Sequence, residues 1–245
     1  MSTDAPKYND LNNRYPGDFR SGEIILYGYN GTQFDISGLT AVVNVYQNLD
    51  SPFLSGNILF FDTMGIQTSL PIVGNEHLEF KFRNPIDAAG DEELNATNHR
   101  FKVYEKRSVK TQQNVQAIAL FFTSIESVRN ERVRVSKSLE GSFAEMVDKL
   151  VKSDKELLNS KKDLFIDPTL GNYKYTFPNV RPIDGVRAMA DLAEPINYKT
   201  PHYMFYENNR GFHFRCLESL YRESADTSQT RKFVAFIDLL SAFNP

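Results

Sequence analysis

Residues 76–83 constrain this chain more than any other stretch, because Leu78, Phe80 and Phe82 alternate strictly with His77, Glu79, Lys81 and Arg83. A period of two places neighbours on opposite faces of an extended backbone, so this segment is a strand with one buried and one wet face. The flanking sequence supplies strands for it to pair with. Runs at 23–29, 34–36, 39–46 and 56–62 are β-branched and aromatic, and the first ends at Asn30-Gly31, a hairpin-turn pair. In 39–46, Val43 and Val45 share one face, and Val42, Asn44 and Tyr46 the other. In 56–62, Ile58 and Phe60 oppose Leu59 and Phe61; with both faces apolar, the sequence predicts a strand covered on both sides. Two longer strands are expected at 100–106 and 115–128, joined by a polar turn at 108–114. Residues 84–98 read as an acidic, small-residue loop.

Helix is expected only after Leu139. Ser142 precedes Phe143, Met146, Val147, Leu150 and Val151, an amphipathic stripe, and Glu145 completes a capping box with Ser142. Residues 153–163 hold three lysines and read as a solvated linker. Short strands are expected at 164–166 and 173–177. A second helix starts at Pro182, a favoured first-turn residue, and stops before Pro195. A hairpin pairs 203–206 with 212–215 across a turn closed by Gly211; residues 219–232 are polar and 233–240 form a short apolar segment. The plan is a β-rich first half and a helix–hairpin–helix–hairpin second half.

Composition narrows the function classes. With 245 residues, 41% hydrophobic and 24% charged, the chain can bury a real core as one large or two modest domains. Lys plus Arg total 28 and Asp plus Glu 31, a net charge of −3, which gives no global pull towards DNA or an anionic membrane. Residues 1–21 are polar and read as a flexible arm without a signal-peptide pattern, and no apolar run is long enough to span a bilayer. Cys216 stands alone, so it can form neither an intramolecular disulfide nor a thiolate metal cluster; it reads as an apolar filler in a protein assembled under reducing conditions.

Templates for chemistry fail uniformly. His77, His99, His202 and His213 match no metal-ligand spacing, and His77 and His213 fall at outward strand positions. Asp91, Glu92 and Glu93 could serve acid–base hydrolysis, but they sit in a polar loop without aromatic sugar platforms. No nucleophile elbow, phosphate loop or dinucleotide fingerprint exists. Two basic groups stand out: Lys102, Lys106, Arg107 and Lys110, and then Arg129, Arg132, Arg134 and Lys137. The second follows a strand and is read as a solvated edge rather than a nucleic-acid surface. No catalytic, cofactor-binding or metal-ligating residue is assigned.

One ordered set of motifs does point to a family. A strand at 39–46 is followed by Asp50-Ser51-Pro52-Phe53-Leu54-Ser55-Gly56-Asn57-Ile58, by Asp62, and by Leu70-Pro71-Ile72-Val73-Gly74-Asn75-Glu76. The second half adds the Ser142-capped helix and Phe177-Pro178-Asn179-Val180-Arg181-Pro182. After them come Phe205-Tyr206-Glu207-Asn208-Asn209-Arg210-Gly211-Phe212-His213-Phe214 and Leu217-Glu218-Ser219-Leu220. Over residues 22–221 this series resembles the central baseplate hub proteins of contractile-tailed bacteriophages.

The resemblance implies an α+β, mainly β fold: a tube-like antiparallel β-barrel module at 22–138 followed by a small helix-hairpin module at 139–221. Residues 222–245 would begin a second tube-like module, which known members possess in full, so the chain is expected to be a fragment or to be completed by another chain. The implied function is a non-enzymatic structural virion protein, a homotrimer assembled in the host cytoplasm. It would join the tail tube protein to the membrane-puncturing spike protein beside the baseplate wedge proteins, without cofactors or specific nucleic acid. Alternatives are a hub–spike component of a bacterial contractile injection system, a tail-associated cell-wall hydrolase using Asp91, Glu92 or Glu93, and a carbohydrate-binding module.

Overall fold

The computed structural model describes residues 20–63, 65–66, 74, 76–83, 100–110 and 116–225. Residues 1–19 of the expected arm, the 84–98 loop, Asp91, Glu92, Glu93, His99, most of the 70–76 motif and the 233–240 segment lie outside the described residues.

Seven strands form one sheet: β1 (Arg20–Tyr27), β2 (Gln33–Asp35), β3 (Thr40–Tyr46), β4 (Ser55–Asp62), β5 (His77–Arg83), β6 (Arg100–Lys110) and β7 (Gln116–Ser124). Their order is β2-β1-β5-β6-β7-β4-β3, all neighbours antiparallel, and the sheet curls into a half-barrel. The alternation read from the sequence is what curls it: Ile24, Leu26, Ile58, Phe60, Leu78, Phe101, Val103, Ile118, Leu120 and Phe122 all point inward and form one buried cluster. Phe101 and Phe122 meet edge-on at 4.9 Å. Each fully buried Phe contributes roughly 1.5–3 kcal/mol.

The rest of the chain builds a second core. Its elements are α1 (Ile125–Arg132), β8 (Ser138–Gly141), α2 (Phe143–Asp148), β9 (Asp163–Ile166), β10 (Tyr173–Thr176), α3 (Pro182–Leu192), β11 (Tyr203–Asn208), β12 (Gly211–Cys216) and α4 (Leu217–Ala225). The Ser142–Glu145 capping box is formed in both directions, and α2 runs on into a π-turn, Lys149–Ser153. Met146, Val147, Leu150, Val186, Met189, Phe212 and Phe214 centre this core. Strand β12 lies between antiparallel β11 and parallel β9, with Gly211 so close to Asp163 that a Cβ would stand 2.3 Å from its carbonyl oxygen. Cys216 is the expected buried filler, its thiol on the Thr200 carbonyl at 3.2 Å.

Four expectations need correcting. The strand expected to run through residue 128 stops at Ser124, and a helix, α1, follows, because Glu126 must turn inward to reach a buried lysine. Helix therefore enters before Leu139. The 153–163 stretch is no solvated linker, since Leu157, Leu158, Ser160 and Lys162 are all buried in it. Strand β4 is covered on one face only: Leu59 is half-buried and Phe61 is 39% exposed. Finally, β6 continues to Lys110, so Ser108 belongs to the ladder rather than to a turn.

One close approach tests the packing of the sheet. A Cβ at Gly56 would stand 2.2 Å from the Asn44 carbonyl oxygen and 2.5 Å from the Phe122 ring. Gly56→Ala should therefore lower stability by about 1–3 kcal/mol, read from the urea midpoint at unchanged slope.

Candidate assembly surface and the junction beside it

The face of the half-barrel that points away from its core is ordered by register. One row crosses the sheet as Tyr27, His77, Lys102, Thr123, Ser55 and Tyr46. A second runs Arg107, Ala119, Leu59 and Val42, and a third Glu105, Phe121, Asn57 and Asn44. Charge is confined to one side. On β5 and β6 stand Glu79, paired with Arg100 and accepting from the Tyr27 hydroxyl at 3.1 Å, and Arg107, whose guanidinium lies 4.7 Å over Phe121. On β7, β4 and β3 the same face is neutral and largely apolar, with Leu59 and Val42 half-buried and Phe61 exposed. A groove of about 450 Å³ separates this face from α1, between Tyr104, Thr123 and Ser55 on one side and Val128 and Arg132 on the other.

Beside the sheet, the two cores meet through a buried ionic cluster. Lys162 Nζ donates to Glu126 Oε2 at 2.7 Å and to Glu207 Oε1 at 2.5 Å, with side-chain exposures of 3%, 7% and 0%. The other carboxylate oxygens are also satisfied. Ser160 donates to Glu126 at 2.7 Å, and Ser124 and the Leu54 amide donate to Glu207 at 2.6 and 2.9 Å. The Lys162 ammonium also sits 5.4 Å from the Phe212 ring centre. Leu54 and Ser124 belong to the sheet, Glu126 to α1, Glu207 to β11 and Lys162 to the segment before β9, so one cluster fixes all of them.

Two carboxylates face one ammonium in a buried site, and burial together with these charges sets the titration. Burial pushes Glu207 up, with Glu126 adding to the rise and Lys162 and Ser124 opposing it. Burial alone would push Lys162 down, but Glu207 and Glu126 outweigh it and hold the ammonium above its ordinary value. Helix α1 adds polar ties of its own: Asn130 accepts the Ile183 amide at 3.0 Å, and Arg129 donates to the Leu157 and Lys155 carbonyls at 2.6 and 2.7 Å.

Neither a family profile nor a curated protein sequence matches the chain. Solved structures do. A 43 kDa tail protein of prophage MuSo2 from Shewanella oneidensis superposes with a TM-score of 0.50 at 9% identity, over 78% of this chain and 52% of that one. The prophage tail protein gp18 from Listeria monocytogenes EGD-e gives 0.48 at 12% identity, over 79% and 50%. An Escherichia coli component of the type VI secretion system, described as structurally similar to the T4 bacteriophage tail proteins gp27 and gp5, gives 0.40 at 10%, over 80% and 48%. The fold is that of a prophage tail protein. The chain spans about half the length of these structures.

On this fold the singled-out residues fall in different settings. His77 is half-buried on the outward face of β5, His202 is exposed in a loop, and His213 is not outward at all. It lies buried between the Tyr206 and Phe165 rings at 4.9 and 4.7 Å, because β12 is a central strand with both faces covered. Of the basic groups, Arg129 and Arg132 ride on a helix instead of a strand edge, Lys137 pairs with Asp154, and Lys102 is buried. Sequence reasoning passed over Glu126, Lys162 and Glu207. For Glu207 a signal exists, since period two puts it on the same face as Tyr203 and Phe205, both buried.

Two outcomes follow from the cluster. Lys162→Met leaves two buried carboxylates facing each other and should cost roughly 3–5 kcal/mol in urea unfolding; adding Glu126→Gln and Glu207→Gln should recover most of that loss. A group whose folded pKa is raised contributes its full stability below the unfolded value and loses it as pH rises through the folded one. Above pH 4.5, the ordinary value for this carboxyl, the wild type should therefore lose stability relative to Glu207→Gln with rising pH. A difference profile that climbs with pH would contradict the net-negative cluster.

Proposed function

We propose that this chain is the structural hub of a phage tail baseplate, joining the tail tube to the membrane-puncturing spike by matching their symmetries. The observation that supports the reading most is the curled, seven-stranded half-barrel, a fold shared with a prophage tail protein at a TM-score of 0.50 over 78% of the chain. Such a sheet has work for both surfaces: the inner face makes the core, and the outer face is left half neutral and apolar for neighbours. On this reading residues 22–138 are the tube-like module, 139–221 the helix-hairpin module, and 222–245 the start of a second tube-like module.

The role is mechanical and involves no catalysed step. Three copies would form the ring, with the tail tube protein on one side, the spike protein on the other and wedge proteins around it, all within the virion tail. Light scattering across a concentration series, with and without tail tube and spike proteins from the same phage, tests this. A species of three times the 28.0 kDa protomer mass that takes up both proteins is the expected result. A chain that binds neither protein would overturn the hub role.

A further inference from the structure

Three large aliphatic side chains stand together on the outer surface of the second core. Leu170, Leu192 and Ile196 are 50%, 53% and 54% exposed. An antiparallel bridge joins Thr169 to Pro195, and the Leu170 amide donates to the Glu194 carbonyl at 2.7 Å. Thr169 is buried, and its hydroxyl accepts the Ala144 amide at 3.0 Å. The neighbouring Leu170 therefore faces outward, with Ile196 beside it across the bridge. Leu192 ends α3 off the stripe of Ile183, Val186, Met189 and Ala190 that packs inward. Single exposed aliphatics are ordinary, but three in one place mark a contact surface. Its rim is acidic: Asp191 and Glu194 are exposed, and neither carboxylate has a hydrogen bond or ion pair among the described residues.

Helix α4 brings the end of the chain to this patch. The Leu217 amide donates to the His202 carbonyl at 2.8 Å, Glu218 accepts the Lys199 and Thr200 amides at 2.8 and 3.1 Å, and Arg222 lies 5.4 Å from the Tyr198 ring centre. The helix thus runs back along residues 202–198 towards Ile196 and ends at Ala225. Residues 226–230 then lead to Arg231-Lys232-Phe233-Val234-Ala235-Phe236-Ile237. A linker of that length spans at most roughly 18 Å, so this segment can reach the patch but not wander far from it. It carries two cations ahead of an apolar run, which is the complement of an apolar patch with a free acidic rim. We propose that residues 231–237 dock on the patch of their own chain, with Phe233 and Phe236 against Leu170, Leu192 and Ile196, and with Arg231 and Lys232 against Asp191 and Glu194. The docking goes beyond the hub reading, which has this stretch begin a second module and says nothing of where it is held.

Limited chymotrypsin digestion of the full chain tests this, because cleavage after Phe233 and Phe236 requires the segment to leave its dock. Leu192→Ser with Ile196→Ser changes only exposed positions, so circular dichroism should stay as in the wild type while cleavage at both bonds speeds up about tenfold. Asp191→Lys with Glu194→Lys should speed it about threefold, and adding Arg231→Glu with Lys232→Glu to that variant should restore the wild-type rate. The wild-type rate should not depend on protein concentration. Equal cleavage of the wild type and the patch variant, or a charge swap that restores nothing, overturns the docking. Protection that appears only as concentration rises overturns it in favour of the segment of a second copy, and protection gained only with tube or spike protein present overturns it in favour of a foreign partner. The hub role is read separately: a chain with its segment protected that binds neither tail protein keeps the docking and removes the hub, and an unprotected chain that binds both does the reverse.

Discussion

Lys162 is buried, with 3% of its side chain exposed. Its ammonium is enclosed by two carboxylates, two hydroxyls hold the carboxylates in place, and a backbone amide from the neighbouring core closes the ring. An ion removed from water at this depth costs several kcal/mol unless every partner is in position. That condition ties distant segments together: the entry to β4, the end of β7, the first turn of α1, the segment before β9 and the end of β11 all have to be placed at once. Apolar packing supplies the bulk of the stability in each core, but it tolerates small rotations of one core against the other. The ionic cluster does not, because its distances must be met within tenths of an ångström.

The two halves of the chain therefore solve different problems. The sheet is held by alternation alone, with phenylalanines on one face and a graded outer surface that passes from charged at β5 and β6 to neutral at β3. The second core is held by short elements whose ends are individually fixed: a capping box at α2, Pro182 at the start of α3, and Gly211 pressed against Asp163. Among the described residues, His77 and Lys102 are neighbours on the sheet, whereas His202 and His213 lie in the second half of the chain.

Much of this was legible in the sequence, for physical reasons. Period-two alternation fixes a strand whatever lies around it, so residues 76–83 and the core face of 56–62 were read correctly. Capping chemistry is local in the same way, and α2 and α3 began where Ser142 and Pro182 placed them. What escaped was long-range. Glu126 ends a strand early because of Lys162, which lies 36 residues away along the chain. The lysine-rich stretch around it looks solvated to any local rule. The open outer face of β4 could not be told from a covered one, since Leu59 and Phe61 are equally apolar in either setting.

Strand β7 passes into α1 without an intervening loop, and it is paired with β4 from Gln116 to Thr123. Because the ionic cluster clamps α1, Ser124 and Leu54 to the second core, a pull on that core is delivered to β7 and to the entry of β4 together. Force along β7 loads the ladders on both flanks of the strand in parallel, as shear, instead of opening them one rung at a time. The geometry makes the junction a tension member: the two cores can be hauled on from opposite ends, and the resistance is shared across the central sheet instead of falling on a single contact.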